Sequence, residues 1–208
     1  MKRLPAILAS ALILAGCSAL PSKPVQQTMY DFGPVAPATP AQAAAPREAL
    51  VLPNVEVDGA LEKTELLYRL AYDDPHALRP YALARWSGRP GDLVGQRLRT
   101  LLGRDRPVLD RSAAASLSHR GGNGGPPVLR VELEEFSQVF DSPTTSRGVV
   151  RLRCTLLREA SGGEHLVAQR TFEVARPAPT ADAPGGVRAL AAATDAAAQE
   201  IAGWLQPY

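Results

Sequence analysis

The clearest pattern in the chain is an alternation of apolar and polar residues between Val128 and Ala175. From Val150 to Leu156 the even positions are apolar and the odd positions are mostly polar. Because successive side chains of a strand point to opposite faces of a sheet, this period of two predicts strands with one face in a core. Turn-forming residues at 141–143 and 161–163 divide the stretch. We therefore predict a three-stranded antiparallel meander with one apolar face.

Two irregularities interrupt the alternation. In the first strand the apolar side shifts by one residue before Phe136, which predicts a β-bulge near Glu134 and Glu135. In the third strand Arg170 occupies a position on the apolar face. Both are places where the apolar face of the meander is expected to be discontinuous.

A segment with helical periodicity follows the meander and is suited to cover its apolar face. Asp182 is the expected N-cap, with Pro184 in the first turn, and Gln206-Pro207 is the expected end. The stripe recurs every three or four residues: Val187, Ala191, Thr194, Ala198, Ile201 and Leu205. Its alanines predict a close approach of helix and sheet.

The first half of the chain predicts more strands and a second helix. Short strands are expected at 29–34 and 49–57, the latter at a sheet edge or ending early because Pro53 cannot donate a ladder hydrogen bond. A hairpin is expected from strands at 65–72 and 81–86. A helix then opens at residues 90–92 and ends at a glycine cap; its stripe and cap are Val94, Leu98, Leu101, Leu102 and Gly103.

Four arginines give the outer side and exit of this helix a basic character: Arg97, Arg99, Arg104 and Arg106. A solvated helix face is the ordinary interpretation, and contact with lipid headgroups is the alternative. The segment at 105–127 has little pattern and ends in glycines. Together the patterns predict an α/β fold of the α+β type, a single domain with a mixed, largely antiparallel sheet. The C-terminal three-strand meander belongs to that sheet, which two amphipathic helices cover on one face.

The N-terminus has the pattern of an export signal. Lys2 and Arg3 precede an apolar run at 4–14 that is too short for an ordinary membrane-spanning helix. We therefore assign residues 1–16 to a signal peptide, 17–28 to a tether and 29–208 to the folded domain. That domain includes a Pro/Ala-rich loop at 34–48 and a Gly-rich loop at 119–127.

The signal ends in Leu14-Ala15-Gly16-Cys17, which resembles the bacterial lipobox. The resemblance implies that Cys17 becomes the first residue of the mature chain and carries a diacylglyceryl group and an N-acyl chain such as palmitate. Three acyl chains anchor a protein stably, whereas one binds marginally. Ser18, in place of an aspartate that would retain the protein at the inner membrane, implies the outer membrane. An ordinary secretory signal with an incidental cysteine is the alternative.

The charge of the mature chain is balanced. The full sequence has 23 Lys and Arg against 21 Asp and Glu, and removal of Lys2 and Arg3 with the signal leaves 21 of each. A neutral chain offers no electrostatic basis for nucleic-acid binding. We therefore expect no nucleic-acid partner.

Most of the aromatic residues of the first half lie in the predicted hairpin: Tyr68, Tyr72, Tyr81 and Trp86. They indicate either an apolar cluster under the sheet or a partner-binding patch, since Tyr and Trp are common in interface hot spots. Under the second interpretation Tyr81 and Trp86 are the candidate contacts.

Patterns typical of catalytic or cofactor sites are missing from the sequence. The three histidines lack the spacing of metal ligands, no Gly-x-Ser-x-Gly motif is present, and the glycine cluster lacks the Lys-Ser/Thr of a phosphate loop. The adjacent Glu134 and Glu135 would face opposite sides of a regular strand. We predict no enzymatic activity, cofactor or metal. Cys154 is expected to be a small buried side chain, with a redox or intermolecular role as the alternative.

The chain resembles the ABC-type transport auxiliary lipoprotein family. The resemblance rests on the lipobox at 14–17, Tyr81 with Arg85-Trp86 before Pro90, Val131-Glu132-Leu133 running into Phe136, Ala168-Gln169-Arg170-Thr171-Phe172 and the last helix through Trp204. It implies a non-enzymatic lipoprotein on the periplasmic face of the outer membrane. Its implied partners are an MCE-domain protein and an ABC transporter that moves lipids or other apolar molecules.

The resemblance also implies self-association of this chain into a homo-oligomer. A different class of function stays open: a structural or regulatory lipoprotein that scaffolds or activates an enzyme of envelope biogenesis.

Overall fold

The structure, a computed structural model, describes residues 26–35, 47–118, 125–160 and 163–208. The described chain forms nine strands, three α-helices and the 3-10 helix Gly59–Glu62. The strands are β1 Thr28–Tyr30, β2 Leu50–Val51, β3 Glu56–Val57, β4 Glu65–Leu70, β5 Asp74–Trp86, β6 Val108–Leu109, β7 Val128–Ser142, β8 Thr145–Ala160 and β9 Gly163–Pro177. The helices are α1 Pro90–Leu102, α2 Arg111–Ser118 and α3 Ala183–Trp204.

The predicted meander is confirmed as β7, β8 and β9, which pair antiparallel along almost their full lengths. Their apolar positions form one wall of the core, with Val131 opposite Cys154 and Leu152 opposite Phe172. The expected bulge is present, because the register shifts between Leu133 and Glu135. It turns Phe136 back to the core side of the sheet.

All nine strands form one mixed sheet around β7. One edge of β7 pairs with β8. Its other edge pairs in parallel with β2, β3 and β4, one after another along its length. β5 then pairs antiparallel with β4, β1 pairs parallel with β5, and β6 pairs parallel with β2. The long pairings are antiparallel and the short ones are parallel, so the predicted fold class is confirmed.

Helix α3 covers β8 and β9, and α1 packs against α3. Asp182 caps α3 as predicted, because its Oδ1 accepts a hydrogen bond from the N–H of Gly185 at 2.8 Å. The close approach expected from the alanines occurs at Gly148, where an added Cβ would lie 2.6 Å from the backbone nitrogen of Leu190. Among the described residues, no helix is long and apolar enough to cross a membrane.

Three predictions from the first half of the chain need correction. The strand at 49–57 ends early, as one of the two alternatives predicted, because β2 stops before Pro53; the edge alternative is wrong, since β2 and a second strand, β3, both pair with the central β7. The hairpin partner β5 begins at Asp74, seven residues before the predicted start at Tyr81. The poorly patterned region after α1 contains β6 and α2, whose pairing and packing are tertiary and leave no periodic signal.

Candidate interaction surfaces

Trp86 lies in the core and not on the surface. The alternation of β5 places it on the helix-covered side, where its side chain is 1% exposed. Its ring packs against Phe136 at a centroid distance of 5.3 Å and against Phe32 at 5.5 Å. Its indole N–H has no partner among the described residues. The cluster interpretation therefore describes Trp86, and its ring offers no surface for direct contact with a partner in this conformation.

Tyr81 is half-buried and its hydroxyl is used inside the domain. Oη donates to Oε1 of Gln138 at 2.8 Å, and Nε2 of Gln138 donates to Oγ of Ser146 at 2.8 Å. Burial raises the pKa of the Tyr81 phenol, and the neighbouring Tyr68 adds to the shift. A contact of the Tyr81 ring with a partner stays a prediction.

Two of the four arginines near α1 are buried, which corrects the prediction of a solvated basic face. Arg97 is 7% exposed and binds both carboxylate oxygens of Asp195 on α3, with Nη2 and Oδ2 2.8 Å apart. Arg106 is also buried and donates to the carbonyl of Leu205 at 3.0 Å. Both side chains join the first half of the chain to α3. Arg97 follows Val94 by three residues in the sequence and so lies beside the apolar stripe of α1. This spacing is the sequence feature that indicates its burial.

The face of β7 and β8 that points away from α3 carries a ladder of ion pairs. Arg153 contacts both Glu132 and Glu134, and Arg151 contacts Glu173 on β9. These side chains alternate with the buried apolar ones, so the same period of two that builds the core builds this surface. The pairs are solvent-exposed, and each contributes about 0–1 kcal/mol to stability.

A cleft of about 510 Å³ opens on this ladder. Its lining is Glu56, Val57, Asp58, Leu61, Glu132, Leu133, Glu134, Arg151 and Arg153. The lining is mostly charged, and several of its side chains are paired with one another. It is suited to a polar partner and not to an acyl chain, because an apolar ligand would desolvate charges without replacing their contacts.

The other candidate groups lie apart from the cleft. Cys154 is fully buried on the core side of β8, and burial raises the pKa of its thiol to about 12. Within the ranges that the structure describes, no group of three His, Cys, Asp or Glu side chains is placed to hold a metal ion. Cys17 lies outside the described residues, and its acylation stays a prediction.

Comparisons with known proteins agree on the fold. A family model described as "ABC-type transport auxiliary lipoprotein component" matches residues 30–202. A crystal structure of protein XCC0632 from Xanthomonas campestris is similar, with a TM-score of 0.66 and 20% identity over 85% of this chain and 94% of that one. A crystal structure titled only as an uncharacterized protein has a TM-score of 0.60 and 14% identity over 87% of this chain and 99% of that one. At these identities the similarity extends to the fold alone. No curated protein matches the sequence.

Proposed function

Because the chain belongs to the family of ABC-type transport auxiliary lipoprotein components, we propose that it is a non-enzymatic lipoprotein that docks a periplasmic transport partner to the outer membrane. The observation that carries the proposal is the family match over residues 30–202, which covers strands β2 to β9 and all of α1. The proposed partner is an MCE-domain protein of an ABC transport system. The cargo would be a phospholipid or another apolar molecule.

The proposed anchor is acylated Cys17, which the lipobox at 14–17 supports. Ser18 supports the outer membrane as the destination. The folded domain would then face the periplasm, held by the tether at 17–28. We propose that Cys17 is the only residue whose chemistry changes in this function, and that ATP is hydrolysed by the transporter.

The charged cleft supports a docking role over a carrier role. Its arginines and glutamates offer directional hydrogen bonds to a polar protein surface, and such charge pairs favour specificity and rapid association. A carrier of lipids would instead need an apolar cavity large enough to enclose acyl chains. We therefore place the cargo in the partner and not in this domain.

Crosslinking in cells tests the proposal. A photo-crosslinking residue at Arg153, in the cleft, is compared with one at Ala192, which is exposed on α3. We expect the probe at 153 to recover an MCE-domain protein and the probe at 192 to recover less of it. Equal recovery at both positions would remove the cleft from the proposed interface while leaving the partner in place.

Genetic complementation tests the same proposal at the level of the cell. Deletion of the gene is expected to make the outer membrane permeable to detergents or apolar drugs. The wild-type chain and Cys154→Ala should restore the barrier, whereas Cys17→Ser should not. A normal barrier in the deletion strain, together with a crosslinked peptidoglycan synthase, would favour the scaffold alternative.

A further inference from the structure

Two large apolar side chains are exposed side by side where the domain begins. Met29 on β1 is 68% exposed and Leu83 on β5 is 56% exposed. In the parallel pairing of these strands Met29 lies opposite Arg85. Ala84 and Trp86 are buried, so alternation along β5 places Leu83 and Arg85 on its other side. Met29, Leu83 and Arg85 therefore share one face at the outer edge of the sheet; we call them the β1-edge patch.

The basic member of this patch is available for a ligand. Glu65 of β4 lies opposite Arg85 in the register, yet no ion pair joins Arg85 to any described carboxylate. The arginines of the cleft, by contrast, are paired with glutamates. The patch thus combines two unburied apolar side chains with a cation that has no acidic partner in the described chain.

The tether brings the patch close to the membrane. The described chain begins just before Gln27, whose Nε2 holds the start of β1 by donating to the carbonyl of Ala82 at 2.9 Å. Nine residues separate Cys17 from Gln27 in the sequence. Ten residue steps span at most about 36 Å, so an anchor at Cys17 would keep β1 within that distance of the membrane. The opposite edge, β9, lies about 24 Å from β1 at the usual strand spacing, so β1 is the edge that the anchor would hold nearest.

We propose that the β1-edge patch seats the domain on the phospholipid surface, with Met29 and Leu83 between the headgroups and Arg85 at a phosphate. The inference rests on acylation of Cys17, which is part of the proposed function. Apolar side chains next to a cation fit the boundary between acyl chains and anionic headgroups. Because the anchor already confines the patch near the bilayer, a contact too weak to bind free protein is sufficient to orient the domain.

This orientation has a structural consequence for the partner. The domain would rest on its β1 edge, so that β9 lies farthest from the membrane. The charged cleft is set between these edges and would remain open to the periplasm. Anchor and patch together would then fix the distance of the cleft from the membrane and the direction from which a partner docks.

Fluorescence quenching in vesicles tests the orientation. The full-length protein, purified in the form that the cell produces, is placed in vesicles of phosphatidylethanolamine and phosphatidylglycerol that carry a quencher on the acyl chains. Single cysteines for a fluorescent label are introduced as Leu83→Cys and, as a matched control, Leu166→Cys on β9, where the native leucine is 61% exposed. Acylated Cys17 has no free thiol, and Cys154 is buried with its pKa raised to about 12, so neither competes for the label.

We expect the label at 83 to lose fluorescence in the vesicles and the label at 166 to keep it. Arg85→Gln should reduce the quenching at 83, with no change in the melting temperature of the protein. Equal quenching at both positions would mean that the sheet face lies flat, and no quenching at 83 would mean that the edge stays off the membrane; either result overturns the proposal. If the label at 83 is unquenched in vesicles but a probe there crosslinks a periplasmic protein in cells, the patch is a protein interface.

If Cys17 is not acylated, the vesicle experiment gives a different result. A protein that does not float with the vesicles at all would overturn acylation of Cys17, and with it both the proposed function and this inference. A protein that floats without quenching at 83 overturns only the seating of the β1 edge.

Discussion

Single residues beneath the start of α3 control how the helix meets the sheet. Gln138 is fully buried, and both ends of its amide are bonded, one to Tyr81 and one to Ser146. Gly186 makes room for it, because a Cβ there would lie 2.0 Å from Oε1 of Gln138. A buried amide costs free energy unless its hydrogen bonds are made. The network therefore joins β5, β7 and β8 directly beneath Gly186, where α3 begins.

Tyr81→Phe tests this network. The substitution keeps the ring and removes the hydroxyl, which leaves Oε1 of Gln138 without its donor. We expect the free energy of unfolding to fall by about 1–2 kcal/mol, measured by urea denaturation. The matched control is Tyr72→Phe, at a tyrosine that is 48% exposed, where the change should stay within about 0.5 kcal/mol. Equal effects of the two substitutions would show that the buried hydrogen bond contributes nothing.

Cys154 gives the second prediction at this scale, and it depends on pH. At pH 7 Cys154→Ala should lower the free energy of unfolding by about 1 kcal/mol, as a small truncation in the core. Native thiol labelling should be slow, because the side chain is fully buried. Fast labelling of the folded protein would contradict its burial.

The sign of the pH effect follows from the raised pKa. The folded thiol has a pKa of about 12, whereas an unfolded thiol titrates near about 8.5. Above that pH the unfolded chain loses the proton and the folded chain keeps it, so stability falls by up to about 1.4 kcal/mol per pH unit. Cys154→Ala lacks this loss, so its deficit should shrink above about pH 8.5 and reverse at about pH 9. Urea midpoints at pH 7, 8.5 and 10 measure it; parallel curves for the two proteins would contradict it.

At the scale of elements, the contact between α3 and β8 depends on the absence of a side chain at residue 148. Gly148 lies under α3, where the backbone nitrogen of Leu190 and the carbonyl carbon of Ala189 would be 2.6 and 2.7 Å from an added Cβ. Backbone atoms cannot rotate away as a flexible side chain can. The helix therefore approaches the sheet as closely as it does only because residue 148 is glycine and the helix face is rich in alanine.

Gly148→Ala should separate α3 from the sheet. Overpacking of this kind costs about 1–3 kcal/mol, which a shift in the urea midpoint would show. Gly203→Ala is the matched control in α3, since no atom lies within 4 Å of its added Cβ. There the better helix propensity of alanine should raise stability by about 0.5 kcal/mol. A stable Gly148→Ala protein with unchanged near-UV circular dichroism would show that the helix has room to spare.

The elements also show which parts of the fold can be predicted from the sequence. The meander and its bulge follow from alternation, and α3 follows from its stripe and the Asp182 cap, because these signals are local. β2, β3 and β6 are two residues long and exist only through pairing with β7 or with each other, so their signal is not local. The pattern leaves Trp86 between an apolar cluster and a partner-binding patch and places Arg97 on a solvated face, because polarity and residue type do not report burial. Asp195, the partner of Arg97, is 98 residues away.

At the scale of the whole molecule, the proposed anchor and the fold are separate parts of the chain. Among the described residues, which begin at Gln26, the buried side chains of the apolar core lie between Leu50 and Leu205, and Tyr30 and Phe32 pack against them. The lipobox lies upstream of all of them. The position of the protein in the envelope and the stability of its domain should therefore respond to different substitutions.

Cys17→Ser tests this separation. Serine cannot receive the diacylglyceryl group, so we expect an unprocessed, non-acylated precursor that is lost from the outer-membrane fraction. Its domain should unfold at the same urea midpoint as the wild type, because no core residue changes. Cys154→Ala is the matched control, with the opposite result: unchanged localisation and a lower midpoint. Mass spectrometry of the mature wild-type protein decides the premise, since an unmodified N-terminus at any residue other than 17 would contradict acylation of Cys17.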